Sequence, residues 1–113
     1  MKSKKVKVRN YPGILEDAAF NLTRITITFD SSITLKTVGH VTNAKSLLSV
    51  LASRITNGTE VEIVANGKDE EEAVKCVSEY IQSGCSEEFV KNFLKWYQHN
   101  KKALVLWVLL YLI

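Results

Sequence analysis

Serine, histidine, cysteine and grouped carboxylates are the residues of this chain that could do chemistry. Ser46 directly precedes Leu47 and Leu48 in an apolar run with helical spacing. It is therefore placed either to cap a helix or to accept a phosphoryl group, and from residue type alone capping is the commoner role. The acidic run Glu70-Glu71-Glu72 is typical of a solvated helix start, where the helix dipole favours carboxylates.

The two histidines and the two cysteines do not form a catalytic or metal-binding pattern. His40 falls near a predicted turn between strands and His99 near the end of the chain, and neither follows a phosphate-binding loop. Cys76 and Cys85 have no partner at metal-ligand spacing. We therefore predict no metal, no cofactor and no enzymatic activity.

Length and charge set further bounds. A chain of 113 residues supports one hydrophobic core, and its 46% apolar and 24% charged residues are typical of a folded domain. The net charge of +3 is too small to predict direct nucleic acid binding, which needs a dense basic patch. The basic start, Lys2 to Lys7, is not followed by the apolar core of a secretion signal, so we expect a cytoplasmic location, with a peripheral membrane location left open by the tail.

Hydrophobic periodicity predicts the order strand, helix, strand, strand, helix, strand, helix over residues 1–84. Within the first helix, Thr23 to Thr28 alternates and is β-branched, so pattern alone favours a strand there. Asp69 and Glu72 have the spacing of a capping box, and Gly84 is a helix stop. The predicted strands lie around 5–9, 32–37, 41–42 and 60–64 and the predicted helices over 46–54 and 69–83. A first helix begins at residue 16, and only the family resemblance given below extends it to about residue 27.

Four segments together carry a family resemblance: Gly13 to Ala19, Asn43 to Leu48, Thr56 to Thr59 and Ala65 to Glu70. In this order and spacing, residues 1–84 resemble HPr, the histidine-containing phosphocarrier protein of the bacterial sugar phosphotransferase system. The resemblance implies an α+β fold, the HPr-like open-faced β-sandwich of order β-α-β-β-α-β-α. Its four-stranded antiparallel sheet would carry helices on one face, and residues 85–113 would form an additional C-terminal helical tail.

The resemblance places Leu15 at the family's phosphohistidine position and Asp17 at its arginine position. Leu15 has no nucleophilic atom, and Glu16 and Asp17 put carboxylates where the family attracts phosphate. We therefore expect no histidine phosphotransfer. In this respect the chain is similar to the catabolite-repression HPr-like members of the family, which lack the histidine and keep the serine.

The resemblance also implies that Ser46 is a regulatory phosphorylation site for an HPr kinase/phosphorylase. Lys45, Leu47 and Leu48 would then form a partner-binding patch for a catabolite-control-type regulator, although Leu47 can equally belong to the core. Asp17 is expected to lie close to a phosphate on Ser46 and to oppose this partner. The chain is accordingly interpreted as a regulatory or protein-interaction module that has lost phosphotransfer.

The last 28 residues leave three interpretations open. Ser86 to Lys102 predicts an amphipathic helix with Phe89, Phe93 and Trp96/Tyr97 along one stripe. Ala103 to Ile113 is an apolar run of about half the length that a spanning helix needs. The run could lie at a membrane surface, dock against the domain or a second copy, or have no function. The alternative functions are therefore a tail-mediated membrane-associated or self-associating adaptor, and a phosphocarrier by homology alone.

Overall fold

The structure is a computed structural model that describes residues 1–10 and 12–100, and within them it contains four strands and four helices. The predicted apolar run over 103–113 lies outside these residues. The elements are β1 (Lys2–Lys7), α1 (Glu16–Thr26), β2 (Ser32–Thr37), β3 (His40–Asn43), α2 (Leu47–Ser53), β4 (Glu60–Asn66), α3 (Glu70–Gln82) and α4 (Glu87–Asn100).

The strands form one antiparallel sheet in the order β1-β4-β2-β3. Its register pairs Val6 with Val61 and Leu35 with Ile63. Alternate residues of β4 (Val61, Ile63 and Ala65) are fully buried, because successive strand residues point to opposite faces and only one face is covered. The predicted open-faced sandwich is confirmed.

Helices α1 and α3 supply most of the layer that covers the sheet. Their buried residues recur at helical spacing, as Leu22 and Ile25 on α1 and as Val77 and Ile81 on α3. The Tyr80 hydroxyl donates a 3.1 Å hydrogen bond to the Ala18 carbonyl and so joins the two helices inside the core. Burial raises the pKa of Tyr80 well above its ordinary value, so this hydroxyl stays protonated as a donor.

The β-branched half of α1 is helical. Thr26 is fully buried, and its Oγ1 donates to the Ala44 carbonyl at 2.7 Å, while the Thr23 hydroxyl donates to the Ala19 carbonyl. Both hydroxyls are therefore satisfied inside a helix. The interpretation that followed the family is confirmed over this segment, and the strand pattern is overridden by burial of one helical face.

A close backbone approach joins the turn before α1 to the segment after α2. Gly13 forms an isolated bridge with Thr56, and the Ile14 N–H donates to the Ile55 carbonyl at 2.8 Å. A Cβ at Gly13 would lie 2.2 Å from that carbonyl oxygen, and its φ of +147° also favours glycine. Together with the Thr26–Ala44 bond, this contact makes α2 run antiparallel along α1.

The predicted capping box at Asp69 and Glu72 is wrong. Asp69 is the residue before α3, but its side chain makes no cap hydrogen bond. Its carboxylate instead accepts the backbone N–H groups of Asp30 at 2.8 Å and Ser31 at 2.9 Å, and the Ser31 hydroxyl as well. The carboxylate thus ties the start of β2 to the start of α3, a contact between segments far apart in sequence.

Helix α4 adds a third layer on the outer side of α1 and α3. The Ser86 hydroxyl accepts the Phe89 N–H at 3.3 Å and caps the helix. The most buried side chains of α4 are Val90, Leu94 and Tyr97. Of the predicted stripe, Tyr97 is therefore buried, whereas Phe89 and Phe93 are only half-buried. No helix in residues 1–10 and 12–100 is long and apolar enough to cross a bilayer.

The Asp69 contact makes a pH-dependent contribution to stability. Partial burial raises the pKa of Asp69, but the hydrogen bonds from Ser31 and Asp30 outweigh it and hold the pKa below its ordinary value of 3.8. Stabilisation is therefore full above that value and is lost as the pH falls through the lower, folded-state pKa. Asp69→Ala should lower the free energy of unfolding at pH 7 by about 1–2 kcal/mol, because the carboxylate is partly screened by solvent.

Urea unfolding at pH 7 and at pH 2.5 measures this contribution, and the difference between wild type and Asp69→Ala should shrink at the lower pH. Glu71→Ala is the matched control, since the Glu71 side chain is 79% exposed and makes only a 3.5 Å ion pair with Lys2. Equal losses for the two variants would contradict the assignment.

Candidate functional site

The turn that corresponds to the predicted phosphate site has the shape of a helix start without a nucleophile. Leu15 is the residue before α1 and is extended (φ −125°, ψ 161°), and its carbonyl accepts the Ala18 N–H at 3.0 Å. The Leu15 side chain is half-buried and makes no capping hydrogen bond. Glu16 follows with φ of +40°, which is unusual for a residue with a side chain. The backbone is thus arranged like an anion-binding turn, but its side chains are not.

Three carboxylates surround this turn. Glu16 and Asp17 are exposed in the first turn of α1, and they line a depression of about 330 Å³ together with Leu15 and Glu87. Glu87 begins α4, so the chain beyond α3 contributes a negative charge here that sequence spacing did not predict. The carboxylates occupy the positive end of the α1 dipole and repel an incoming phosphate.

Cys85 is the residue lining this depression that could act as a nucleophile. Its side chain is buried, and burial raises the pKa of the thiol to about 11, with a hydrogen bond to Tyr80 lowering it only in part. The reactive thiolate is therefore scarce at neutral pH. Among the described residues that line this depression there is no histidine, and the thiol present is a poor nucleophile at neutral pH.

Ser46 lies at the start of α2 as the sequence predicts. Its backbone is extended, and its Oγ accepts the Ser49 N–H at 3.3 Å, while its carbonyl accepts the Val50 N–H at 3.0 Å. The hydroxyl is an acceptor in this bond, so its own proton is not used by the cap. The predicted capping role of Ser46 is confirmed, and its phosphorylation stays a prediction.

Ser46 and Asp17 lie toward opposite ends of α1. The turn before Ser46 is attached at Thr26 through the Ala44 carbonyl, whereas Asp17 lies in the first helical turn. Nine residues separate Asp17 from Thr26, which is roughly 13 Å of helix. These contacts place the Ser46 turn and Asp17 toward opposite ends of α1 and so do not support the expectation that Asp17 lies close to a phosphate on Ser46.

The predicted partner-binding residues differ in how far they are available. Leu48 is 79% exposed, while Leu47 is half-buried and packs against the core. The predicted core role of Leu47 is therefore confirmed, and its partner contact stays a prediction. The Lys45 ammonium donates to the Phe29 carbonyl at the end of α1. Lys45 therefore fixes the turn before Ser46, a structural role that the sequence did not indicate. Leu48 provides the exposed apolar contact of this patch.

The remaining candidate residues are dispersed. His40 and His99 are exposed, and Cys76 and Cys85 are both free thiols. Within the described part of the chain, no group of three or more His, Cys, Asp or Glu residues is arranged to hold a metal ion.

Comparison with known proteins covers the same part of the chain. The family model described as "PTS HPr component phosphorylation site" matches residues 2–83. The HPr-like protein Crh of Bacillus subtilis is 33% identical over 82 residues, which are 73% of this chain and 96% of that protein. The phosphocarrier protein HPr of Xylella fastidiosa is 31% identical over 81 residues, which are 72% of this chain and 91% of that protein.

Among solved structures, HPr-C-His from Thermoanaerobacter tengcongensis superposes with a TM-score of 0.72 at 28% identity. The superposition covers 77% of this chain and 99% of that one. Helix α4 begins after the matched residues.

The Ser46 cap can be separated from other effects of the hydroxyl by substitution. Ser46→Ala should lower the free energy of unfolding by about 1 kcal/mol, because the Ser49 N–H loses its acceptor. Ser46→Asp should stay close to wild type, since a carboxylate caps equally well. Thermal or urea unfolding measures both. Ser49→Ala keeps the backbone donor and is the control, and a loss as large as that of Ser46→Ala would contradict the cap.

Proposed function

Because the chain belongs to the HPr family, we propose that it is a regulatory HPr-like protein that acts through Ser46 and does not transfer phosphate by histidine. Phosphocarriers of this family are not enzymes themselves, and the proposal keeps the chain among such non-enzymatic modules. The observation that carries it is the contrast between two helix starts. The start of α1 is acidic and lacks a nucleophile, whereas the start of α2 presents a hydroxyl beside an exposed leucine.

Loss of phosphotransfer is supported by chemistry and by charge together. A phosphoryl group needs an attacking lone pair and donors or cations that stabilise the added charge. Leu15 offers no lone pair, and Glu16, Asp17 and Glu87 supply negative charge on the same turn. Replacing Leu15 alone would therefore not recreate a phosphate acceptor.

Phosphorylation of Ser46 is supported by accessibility. The residue is half-exposed, its proton is not used in the cap, and the neighbouring Leu48 is an exposed apolar contact for a docking protein. A kinase would transfer the γ-phosphoryl group of ATP to Oγ, with loss of the hydroxyl proton and release of ADP. The partners that follow from this proposal are an HPr kinase/phosphorylase and a catabolite-control-type regulator, in the cytoplasm.

The position of Asp17 means that the acidic turn affects the kinase step and the choice of regulator differently. Asp17 lies toward the opposite end of α1 from the Ser46 turn, so we expect its charge to have little influence on phosphorylation of Ser46. A regulator that spans the whole α1–α2 face would still meet Asp17 and Glu16 directly. We therefore expect the kinase step to be retained and the choice of regulator to differ from that of an HPr with an arginine at this position.

The first prediction from this proposal concerns the kinase. A purified HPr kinase/phosphorylase with ATP should phosphorylate the wild-type chain on Ser46, located by mass spectrometry. Leu48→Ala should lower kcat/KM roughly tenfold, the loss expected when one apolar contact at the centre of a docking surface is removed. The fold should be intact, because the Leu48 side chain is already exposed.

Val41→Ala is the matched control for the kinase experiment, since Val41 is 72% exposed and alternates on β3 with the buried Thr42, so its side chain points to the uncovered face of the sheet. Its kcat/KM should equal that of wild type. Absence of phosphate on Ser46 of the wild-type chain would refute the proposed regulation.

The second prediction concerns the lost phosphotransfer. Enzyme I with phosphoenolpyruvate should leave the wild-type chain unlabelled, and the single variant Leu15→His should gain little. Leu15→His combined with Asp17→Arg should acquire an acid-labile phosphohistidine, because a nucleophile and a stabilising cation are then both present. The combination of Leu15→His with Asp17→Asn, which removes the negative charge without adding a cation, is the control and should give intermediate labelling. Acid-labile label on the wild-type chain would restore the phosphocarrier interpretation.

A further inference from the structure

An apolar groove lies between α3, which belongs to the region shared with the HPr relatives, and α4, which follows that region. It has a volume of about 540 Å³, and its apolar lining consists of Phe29, Cys76, Phe89, Phe93 and Trp96. The family match ends at residue 83, so α4 creates one whole side of this groove. The groove is therefore a feature that this chain has added to the family fold.

The groove wall is built from aromatic rings in contact with one another. The ring centroid of Phe93 is 6.0 Å from that of Phe29 and 6.1 Å from that of Trp96. These contacts hold the wall in one shape and leave Trp96 44% exposed. A preformed apolar groove with an exposed tryptophan at one end is suited to receiving another apolar segment.

The chain itself carries such a segment directly after the groove. Helix α4 is described as far as Asn100, and in the sequence Lys101 and Lys102 lead into the run of apolar residues from Ala103 to Ile113. We propose that residues 103–113 of the same chain occupy the groove and cover its aromatic wall.

Length and attachment favour this occupant over a second molecule. The groove extends along α4 from Phe89 to Trp96, which is roughly 10 Å. Eleven residues span about 16 Å as a helix and about 36 Å when extended, so the segment covers the groove in either conformation. Attachment through two residues also holds it at an effective concentration in the millimolar range, above that of any free partner at ordinary protein concentrations.

Charge at the groove rim is compatible with the same occupant. Glu72 and Glu79 line the groove, with one lysine, Lys75, between them. Lys101 and Lys102 precede the apolar segment, so docking brings two cations toward a rim with an excess of one negative charge. The acidic rim also disfavours approach of the groove to an anionic lipid surface.

Cys76 provides a direct measurement, because its thiol lines the groove. In the full-length chain, alkylation of Cys76 by a maleimide, followed by peptide mass spectrometry, should be slow. Leu106→Asp with Leu109→Asp should raise the rate roughly tenfold or more, since charged residues do not remain in an apolar groove and the open fraction increases. Trp96→Asp should raise it as well, without any change in the tail. Far-UV circular dichroism checks that each variant keeps its helices.

Val38→Asp is the control, because Val38 is fully exposed in the β2–β3 turn, and its rate should equal that of wild type. Equal rates for wild type and the tail variant would overturn the proposal. Protection that rises with protein concentration, together with dimers in sedimentation, would assign the groove to a second copy instead. In a third outcome, the wild type floats with phosphatidylcholine–phosphatidylglycerol vesicles, the tail variant does not, and the two alkylate Cys76 at the same rate. That outcome would assign the segment to the membrane and would also overturn the proposal.

Discussion

The approach of Gly13 to Ile55 and Thr56 is the constraint on which the functional face depends. A side chain at Gly13 would overlap the Ile55 carbonyl, so the two segments can meet at this distance only through a glycine. That contact fixes one end of α2 beside the start of α1, and the Thr26–Ala44 hydrogen bond fixes the other end. As a consequence, both helix starts belong to one face, with their first residues toward opposite ends of α1.

Under the proposed function, this arrangement separates the turn at Leu15 from the turn at Ser46. The turn at Leu15 has the backbone of a phosphate site, but its side chains and Glu87 make it acidic. The Ser46 turn depends on different contacts, namely the Lys45 ammonium on the Phe29 carbonyl and the Ser46 cap. The two turns share no side-chain contact among those described, so we expect substitutions at Leu15 and Asp17 to have little effect on the geometry of Ser46.

Most of the fold could be predicted from the sequence, and the misses have a common physical cause. Strands such as β4 and helices such as α3 follow from local periodicity. The helical assignment of Thr23 to Thr28 needed the family resemblance, since the helical state of Thr26 involves a hydrogen bond to Ala44, eighteen residues away. The capping box failed for the same reason, because Ser31 and Asp30 take the Asp69 carboxylate. At the site, Leu15, Asp17 and Ser46 could be identified from their positions in the sequence. Their separation and the roles of Glu87 and Lys45 could not, since each depends on how distant segments pack.

Helix α4 shows why the added segment need not interfere with the serine. It buries Val90, Leu94 and Tyr97 against the helix layer and brings the ring of Phe93 into contact with that of Phe29, in the turn after α1. With α4 in place, Leu48 remains 79% exposed. The extension therefore covers the outer side of the helix layer and leaves the contact beside Ser46 open. A protein that docks at Leu48 and a segment that fills the groove at Trp96 use different surfaces, which are connected through Phe29, since its ring lines the groove and its carbonyl accepts the Lys45 ammonium.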